Sequence, residues 1–358
     1  MELTKERYIG VDALRGLMSI IIAYVYHYGI VFGVRPFVNH GFAFFYDYAW
    51  LGVETFFSIS GFMMYIVYEK KIRNSEITIE TFLLKRVIKL YPLMILTTCI
   101  AALGQWTGYI ILGKFPCLDI GDTRNTFYAF ILNILGLQSG WFSNFDSTSI
   151  NGPTWYISIL FVCYIVFFII IKISKNKKNE VIFIIALAIL GLQLINYPLN
   201  FPLLYWSSGR GYLSFSTGVL LAVFSSVNKI NKKHILSITI IIILTLYMIK
   251  INLVGNIFPI VGLIISPSFL YIVLYSNFIN KIAKLKVLKY MGKISLSVYL
   301  WNIPLYILIN LINQTLKLNI DYSKKLTYIL INSIALLISI FSYELFEKPI
   351  YKLLKIKH

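Results

Sequence analysis

An all-α polytopic membrane protein is predicted on three observations. Apolar runs long enough to cross a bilayer recur along the whole chain. Charged residues make up only 13% of the 358 positions, against about a quarter in soluble domains. The Lys and Arg residues gather in short clusters between the apolar runs, as topology signals do. Inside a bilayer every backbone polar group must be satisfied internally, and continuous apolar runs of this length achieve that as helices.

Taken in order, eleven runs fall near 9–30, 47–68, 87–104, 126–138, 153–171, 181–197, 211–226, 235–251, 257–279, 295–313 and 326–345. The run at 126–138 is short, at 13 residues, where a span needs about 20. Basic clusters decide its role. They occur at Lys70, Lys71, Arg73, Lys85 and Arg86; at Lys172, Lys175, Lys177 and Lys178; and at Lys229, Lys232 and Lys233. Two more lie at Lys281, Lys284, Lys286, Lys289 and Lys293, and at Lys348, Lys352, Lys355 and Lys357. If 126–138 crossed, every later cluster would lie outside. If it does not, all five share the cytoplasmic side with the N-terminus, where Lys/Arg-rich loops stay. About ten transmembrane helices are therefore expected, with both termini cytoplasmic and 126–138 a short re-entrant or interfacial helix. Lys317, Lys324 and Lys325 would be external, a modest exception.

The net charge of +18 does not point to nucleic acid, because it is dispersed among membrane-flanking clusters that suit anionic lipid. The segment Lys281–Lys293 alternates Lys with apolar residues, which suits an interfacial helix or a plain basic loop. Cys99, Cys117 and Cys163 are scattered without metal-ligand spacing and read as small buried hydrophobes. A cleavable signal peptide is not expected, since the first apolar run continues without a small-residue cleavage site. The connection from Thr107 to Gly152 carries Trp141, Phe142, Phe145 and Asp146 and is long enough to be functional. With no linker and no repeat, residues 1–358 read as one membrane-embedded domain in the inner membrane.

The first run, IGVDALRGLMSIIIAYVYHYG, carries Asp12, Arg15 and His27 inside a span. Ionisable groups at such positions are expensive and mark functional sites by default. Arg15 and His27 are 12 residues apart, about 18 Å along an α-helix. Of the four histidines, His234 lies in a Lys cluster, His358 ends the chain and His40 falls in the first external loop, leaving His27 inside a span. It is either a packed core residue or a general base suited to neutral pH. Glu54, at the outer end of the second span, shares its depth and could orient the imidazole. Arg86 and Lys89 are three residues apart on one helix face near the cytoplasmic side, and Arg210 opens the sixth span at its external end. Cations at a membrane entrance suit a polyanion such as a nucleotide phosphate, or else snorkel to lipid headgroups. No phosphate loop, nucleophile elbow or metal cluster is visible in the sequence.

The segments IGVDALRGLMSIIIAYVYHYG, GVETFFSISGFMMY, FLLKRVIKLYP, PTWYISI, RGYLSFSTGVLLA, GKISLSVYLWNIPL and SYELFEKP occur in an order that resembles acyltransferase family 3, integral-membrane proteins that O-acylate bacterial surface glycans. The resemblance runs over essentially the whole chain. It implies a ten-span enzyme using cytoplasmic acyl-CoA, usually acetyl-CoA, with no metal. Arg15, Arg86 and Lys89 would hold the donor, and His27 would activate a sugar hydroxyl. Three departures stand out. Eleven residues separate Arg15 from His27 where the family usually has ten. On an ideal helix this turns the two side chains about 120° apart instead of about 20°, unless a π-bulge absorbs the extra residue. Asn302 stands where many relatives carry His, and Lys89 where Arg is common.

The expected function is O-acetyl transfer from acetyl-CoA to a hydroxyl of a lipid-linked or surface polysaccharide. Its candidate site residues are His27 and Glu54 for catalysis and Arg15, Arg86 and Lys89 for the donor. Arg210, Tyr156, Ser158, Tyr299 and Asn302 are candidates for substrate or oxyanion contact. A hydrolase-like extracytoplasmic domain, fused to some relatives, is not expected, so the membrane domain would transfer the acyl group directly. A glycan transporter or a non-catalytic component of a polysaccharide assembly complex is the alternative, since charges within spans serve transport equally well.

Overall fold

The structure, a computed structural model, describes residues 5–117, 125–142, 150–227, 234–250 and 255–353. Every regular element among them is helical. The first helix, α1 (Lys5–Ile20), passes through a π-helical turn (Ile21–Tyr26) into α2 (His27–Phe32). Next come α3 (Ala43–Tyr48), α4 (Gly52–Arg73), α5 (Ile79–Leu112) and the short α6 (Phe127–Leu135). Four helices follow: α7 (Trp155–Ile173), α8 (Lys177–Asn196), α9 (Trp206–Val227) and α10 (His234–Lys250). A second π turn (Val261–Ile265) joins α11 (Phe258–Ile260) to α12 (Ser266–Tyr275). After α13 (Asn277–Ala283) and α14 (Lys286–Leu316), a third π turn (Tyr343–Glu347) joins α15 (Lys325–Ser342) to α16 (Lys348–Leu353). Among the described residues eight stretches are long and apolar enough to cross a membrane, which makes this a multi-pass membrane protein. Beside them α9 is 22 residues long and α10 is 17.

Local signals explain the boundaries. Thr78, Thr126 and Asn176 cap α5, α6 and α8, each accepting a backbone N–H of the first turn. Left-handed glycines Gly33, Gly113 and Gly136 end α2, α5 and α6. The segment Lys281–Lys293 is helical, split between α13 and the start of α14. Leu285 and Val287 there are 58% and 69% exposed, as a lipid-facing surface requires.

Two helix pairs meet at the backbone. A Cβ added to Gly218 would lie 1.9 Å from the Ser58 carbonyl oxygen, and one added to Gly61 2.0 Å from that of Phe215. No side chain therefore separates α4 from α9 at their crossing, the close approach that small residues give membrane helices. At Gly16 and Gly292 the same holds for α1 and α14, with added Cβ atoms 2.6 Å from the Met291 carbonyl carbon and 2.5 Å from the Asp12 oxygen.

The contacts also fix direction. Gly16 meets Gly292, His27 meets Asn302 and Tyr28 meets Tyr306, so the first helix and α14 run parallel. Glu54 meets Arg210 and Phe57 meets Gly211 near the starts of α4 and α9, Ser58 meets the Ser214 carbonyl further in, and these two helices are likewise parallel. At the far end of α4, Arg73 bonds Glu69 at 2.8 Å and reaches Glu180 at the start of α8. Lys177 adds contacts of 3.3 and 3.4 Å to the same two carboxylates. Arg86 on α5 stacks over Tyr68 close by, and Tyr351 of α16 donates to the Lys89 carbonyl, so these basic stretches share one end of the bundle.

From the opposite end, α6 descends beside α5. Trp106 donates to the Asn125 carbonyl at 2.7 Å, and Tyr91 donates to that of Leu135 at 2.9 Å. The chain turns at Gly136 and returns to the starts of α7 and α9, where Ser139 bonds Ser158 and Ser207. Phe145, Asp146, Lys229, Lys232, Lys233, Lys355, Lys357, His358 and the side chain of His234 lie outside the described residues.

The backbone contact at Gly218 sets a test. Gly218→Leu is expected to cut the yield of monodisperse protein and lower the midpoint of thermal unfolding, by the few kcal/mol typical of overpacking or more. Gly152→Ala, where nothing lies within 4 Å of the added atom, should leave that midpoint within error. Equal effects from both would show that the α4–α9 crossing is not what the glycine protects.

Candidate active site

The π turn between Arg15 and His27 closes with the His27 N–H donating to the Ile22 carbonyl, five residues back. One residue is thereby absorbed without advancing the helix face. Eleven effective α-helical steps replace twelve, and the offset falls from about 120° to about 20°. The consequence is visible in the partners. Arg15 donates from Nε to Ser295 Oγ and from Nη2 to the Gly292 carbonyl, both at 2.9 Å, while His27 bonds Asn302 at 2.9 Å. All three partners belong to α14.

The His27 contact sets the imidazole tautomer. Asn302 is fully buried, and its amide nitrogen donates to the carbonyls of Tyr299 at 2.6 Å and Val298 at 3.2 Å. A carbonyl only accepts, so the nitrogen must face these two oxygens and Asn302 Oδ1 must face His27. Oδ1 also only accepts, so His27 Nδ1 carries the proton. Nε2 is then the lone pair, the form a general base needs. Tyr26 and Tyr299 flank the ring, with centroids 5.6 and 6.3 Å away.

Glu54 does not make the contact with His27 that equal depth suggested. Its Oε1 accepts from Arg210 Nε at 2.5 Å, in a pair that is 1% and 8% exposed. The Arg210 guanidinium sits among four aromatic rings, with Trp155, Phe258, Trp206 and Trp50 centroids at 4.6, 4.7, 4.9 and 5.7 Å. Depth fixes one coordinate only, and rotation about α4 turns Glu54 toward α9. Arg210 is correspondingly enclosed rather than open to an anionic ligand. The pair lies within electrostatic reach of Tyr26 and Tyr299, the two rings that flank the histidine.

The basic end holds the cations. Arg15 also contacts Asp12 at 3.2 Å. Lys89 lies within electrostatic reach of Arg15, Arg86, Asp12 and Glu347. Arg86 is buried at 8% exposure with its guanidinium 4.5 Å from the Tyr68 ring centroid, 5.6 Å from Phe82 and 5.8 Å from Tyr164. Its Nε and Nη2 have no hydrogen-bond partner among the described residues. Two orphaned guanidinium donors in a cationic cluster fit the phosphates of a nucleotide-bearing donor, which Arg binds bidentately.

Aromatic side chains connect the two ends. Tyr164, beside Arg86, and Tyr156 stand eight residues apart on α7, about two turns along one face. Tyr156 lies 6.1 Å from Tyr299, and its hydroxyl is 3.1 Å from Ser60. Of the expected oxyanion candidates, Ser158 donates to the Ser139 carbonyl and accepts its N–H, Tyr156 is engaged by Ser60, and Asn302 holds His27. Tyr299 has no hydroxyl partner among the described residues. His40 bonds Lys325 at 3.1 Å on the exposed surface. Burial pushes the Cys117 thiol up to about 12, which removes it as a nucleophile. Ser295 and Gly292 carry no signal in the sequence beyond their place in the GKISLSVYLWNIPL segment.

A model of the acyltransferase domain of acyltransferase family 3 matches residues 8–343. The chain belongs to acyltransferase family 3. Membrane acyltransferase, the class expected from the sequence, is the class of this family. The O-acetyltransferase OatA of Staphylococcus aureus is 24% identical over 331 residues, covering 85% of this chain and 51% of the relative. Protein 2 in the picA locus of Rhizobium radiobacter is 33% identical over 156 residues, 43% of this chain and 73% of that one. An uncharacterized protein of Haemophilus influenzae is 25% identical over 194 residues, 49% and 76% of the two chains. The chain thus spans about half the length of the OatA relatives it matches. No solved structure matches.

The tautomer can be read directly. In protein labelled with ¹⁵N-histidine and assigned with His27→Gln, His27 should show a protonated Nδ1 and an unprotonated Nε2 at neutral pH. The reverse pattern would remove Asn302 as the group that sets the tautomer.

Proposed function

We propose that the protein transfers an acyl group, acetyl by the likeness to an O-acetyltransferase, from cytoplasmic acyl-CoA to a hydroxyl of an envelope or lipid-linked polysaccharide. One observation carries the reading: the π turn sets Arg15 and His27 on the same face against α14, joining a cationic cluster with orphaned guanidinium donors to a histidine whose Nε2 is left with a lone pair. Arg86, Arg15 and Lys89 hold the donor's phosphates. The donor, when bound, supplies an activated thioester carbonyl. His27 Nε2 takes the acceptor's hydroxyl proton as its oxygen adds to that carbonyl, and the imidazolium is then placed to return a proton to the departing sulfur. Asn302 keeps Nδ1 protonated throughout. Tyr299, with its uncommitted hydroxyl near the ring, is the candidate donor to the developing oxyanion.

The topology we propose has ten crossings, the eight apolar stretches plus α9 and α10. Three crossing-length helices, α5, α7 and α8, lie between the parallel α4 and α9, a count that leaves no crossing for α6. That supports a re-entrant role for 126–138. The basic end faces the cytoplasm under the positive-inside rule, with both termini there, and the chain acts as one domain in the inner membrane.

Purified protein in proteoliposomes, given labelled acetyl-CoA and base-deacetylated envelope glycan from a deletion strain, tests the reading. Label should reach the glycan, His27→Ala should reduce transfer at least 100-fold, and Arg86→Gln should raise the acetyl-CoA KM about tenfold or more. Full transfer by His27→Ala would remove the histidine from the mechanism. Glycan movement across vesicles without label transfer would favour the transporter.

A further inference from the structure

Outward of His27, the α6 hairpin brings a set of polar side chains into the bundle whose hydrogen-bonding capacity is left half used. Gln138 and Asn151 are both fully buried. Gln138 donates from Nε2 to Thr154 Oγ1 at 2.7 Å, and that hydroxyl donates onward to the Asn151 carbonyl at 2.7 Å. Asn151 donates from Nδ2 to Thr97 Oγ1 at 3.1 Å and to the Leu300 carbonyl at 3.4 Å. The Leu300 carbonyl can only accept, and so can the oxygens to which Thr97 and Thr154 give their own protons, so neither amide can be flipped. Gln138 Oε1 and Asn151 Oδ1 are left as buried acceptors with no donor among the described residues.

Trp141, three residues on from Gln138, and Ser208 also carry buried polar atoms, Nε1 and Oγ, without partners among the described residues. Ser208 stands against the same turn, its Oγ 2.9 Å from a Cβ built on Gly140. An unmade hydrogen bond at a buried polar group is costly, and this set holds four such groups. Its chemistry is mixed, with two acceptors, one donor and one hydroxyl that does both. An anion would leave the two carbonyl oxygens unsatisfied, and a cation would leave the indole N–H. Sugar hydroxyls match the set, because each donates and accepts. The position fits as well, since the Leu300 carbonyl lies between Tyr299 and Asn302 on the turn of α14 that carries the His27 contact.

We propose that Gln138 and Asn151 position the acyl acceptor, their amide oxygens accepting from hydroxyls of a polyol, so that the α6 hairpin forms an acceptor subsite beside His27. The inference rests on the acyl-transfer reading above, and the test separates the two. With labelled acetyl-CoA and base-deacetylated envelope glycan as the probe, Gln138→Met and Asn151→Leu should each raise the glycan KM about tenfold, equivalent to about 1.4 kcal/mol, with the acetyl-CoA KM unchanged. Gln138→Glu, which keeps an acceptor oxygen in place, should hold the glycan KM within about twofold of wild type. A purely structural role would move both KM values together, and water-filled polar space would move neither. Either result overturns the subsite, as does Gln138→Glu failing as badly as Gln138→Met. If Asn151→Leu yields no folded protein, the two Gln138 variants decide. Wild-type protein that transfers no label would instead sink the reading on which the subsite rests.

Discussion

Arg15 and His27 can serve one reaction only if both face the same partner, and a regular α-helix with twelve steps between them would not allow it. The π turn at Ile21–Tyr26 resolves that conflict by giving up one i→i−4 bond for one i→i−5 bond. Much of the remaining architecture depends on this local adjustment. Because Arg15 then reaches Ser295 and Gly292, the cationic end lies against the start of α14. Because His27 reaches Asn302, the imidazole is fixed against the same helix two turns further on. Gly16 and Gly292 complete the arrangement by letting the backbones touch, so the side-chain contacts are short without any side chain being compressed.

The membrane interior explains how the other charges are arranged. An unpaired charge there is costly, and breaking a buried pair costs about 3–5 kcal/mol. Glu54 and Arg210 meet near one end of α4, and Glu69, Arg73, Lys177 and Glu180 form a compact network at the other. Both groups tie α4 to the α8–α9 hairpin. Arg86 breaks the pattern. It is buried, stacked on aromatic rings and has two donors without acceptors among the described residues. A cation held this way by rings retains its capacity for an anion, which distinguishes it from Arg210, whose Nε is committed to a carboxylate.

Much of this was legible in the sequence, and the reasons for the gaps are physical. Apolar run length and Lys/Arg clustering gave the helical membrane class, and the shortness of 126–138 marked the segment that becomes α6. The residue count between Arg15 and His27 was enough to anticipate a π-bulge, because helical facing is a local property. Partners 156 and 275 residues apart were not legible. Glu54 was assigned to His27 by depth alone, yet α4 is turned so that Glu54 faces α9. A signal existed: Gly61 on α4 and Gly218 on α9 are the small residues that bring those helices together, and Arg210 lies about two turns before Gly218 on α9. Asn302 read as a substrate or oxyanion contact on its polarity alone. Both of its donors prove to be anchored to backbone, leaving only the oxygen to meet the histidine.

Residue counts within the first span therefore carry less information than they would in an unbroken helix. A single inserted residue ordinarily rotates everything beyond it by about 100°, which would strip a membrane helix of its partners. Here the insertion is confined to one turn, and the contacts on either side of it stay in register with α14. Two chains whose first spans differ by one residue can thus present the same two groups to the same helix. The span is a poor ruler but a faithful hinge of register: its length can drift by one while its working face stays fixed.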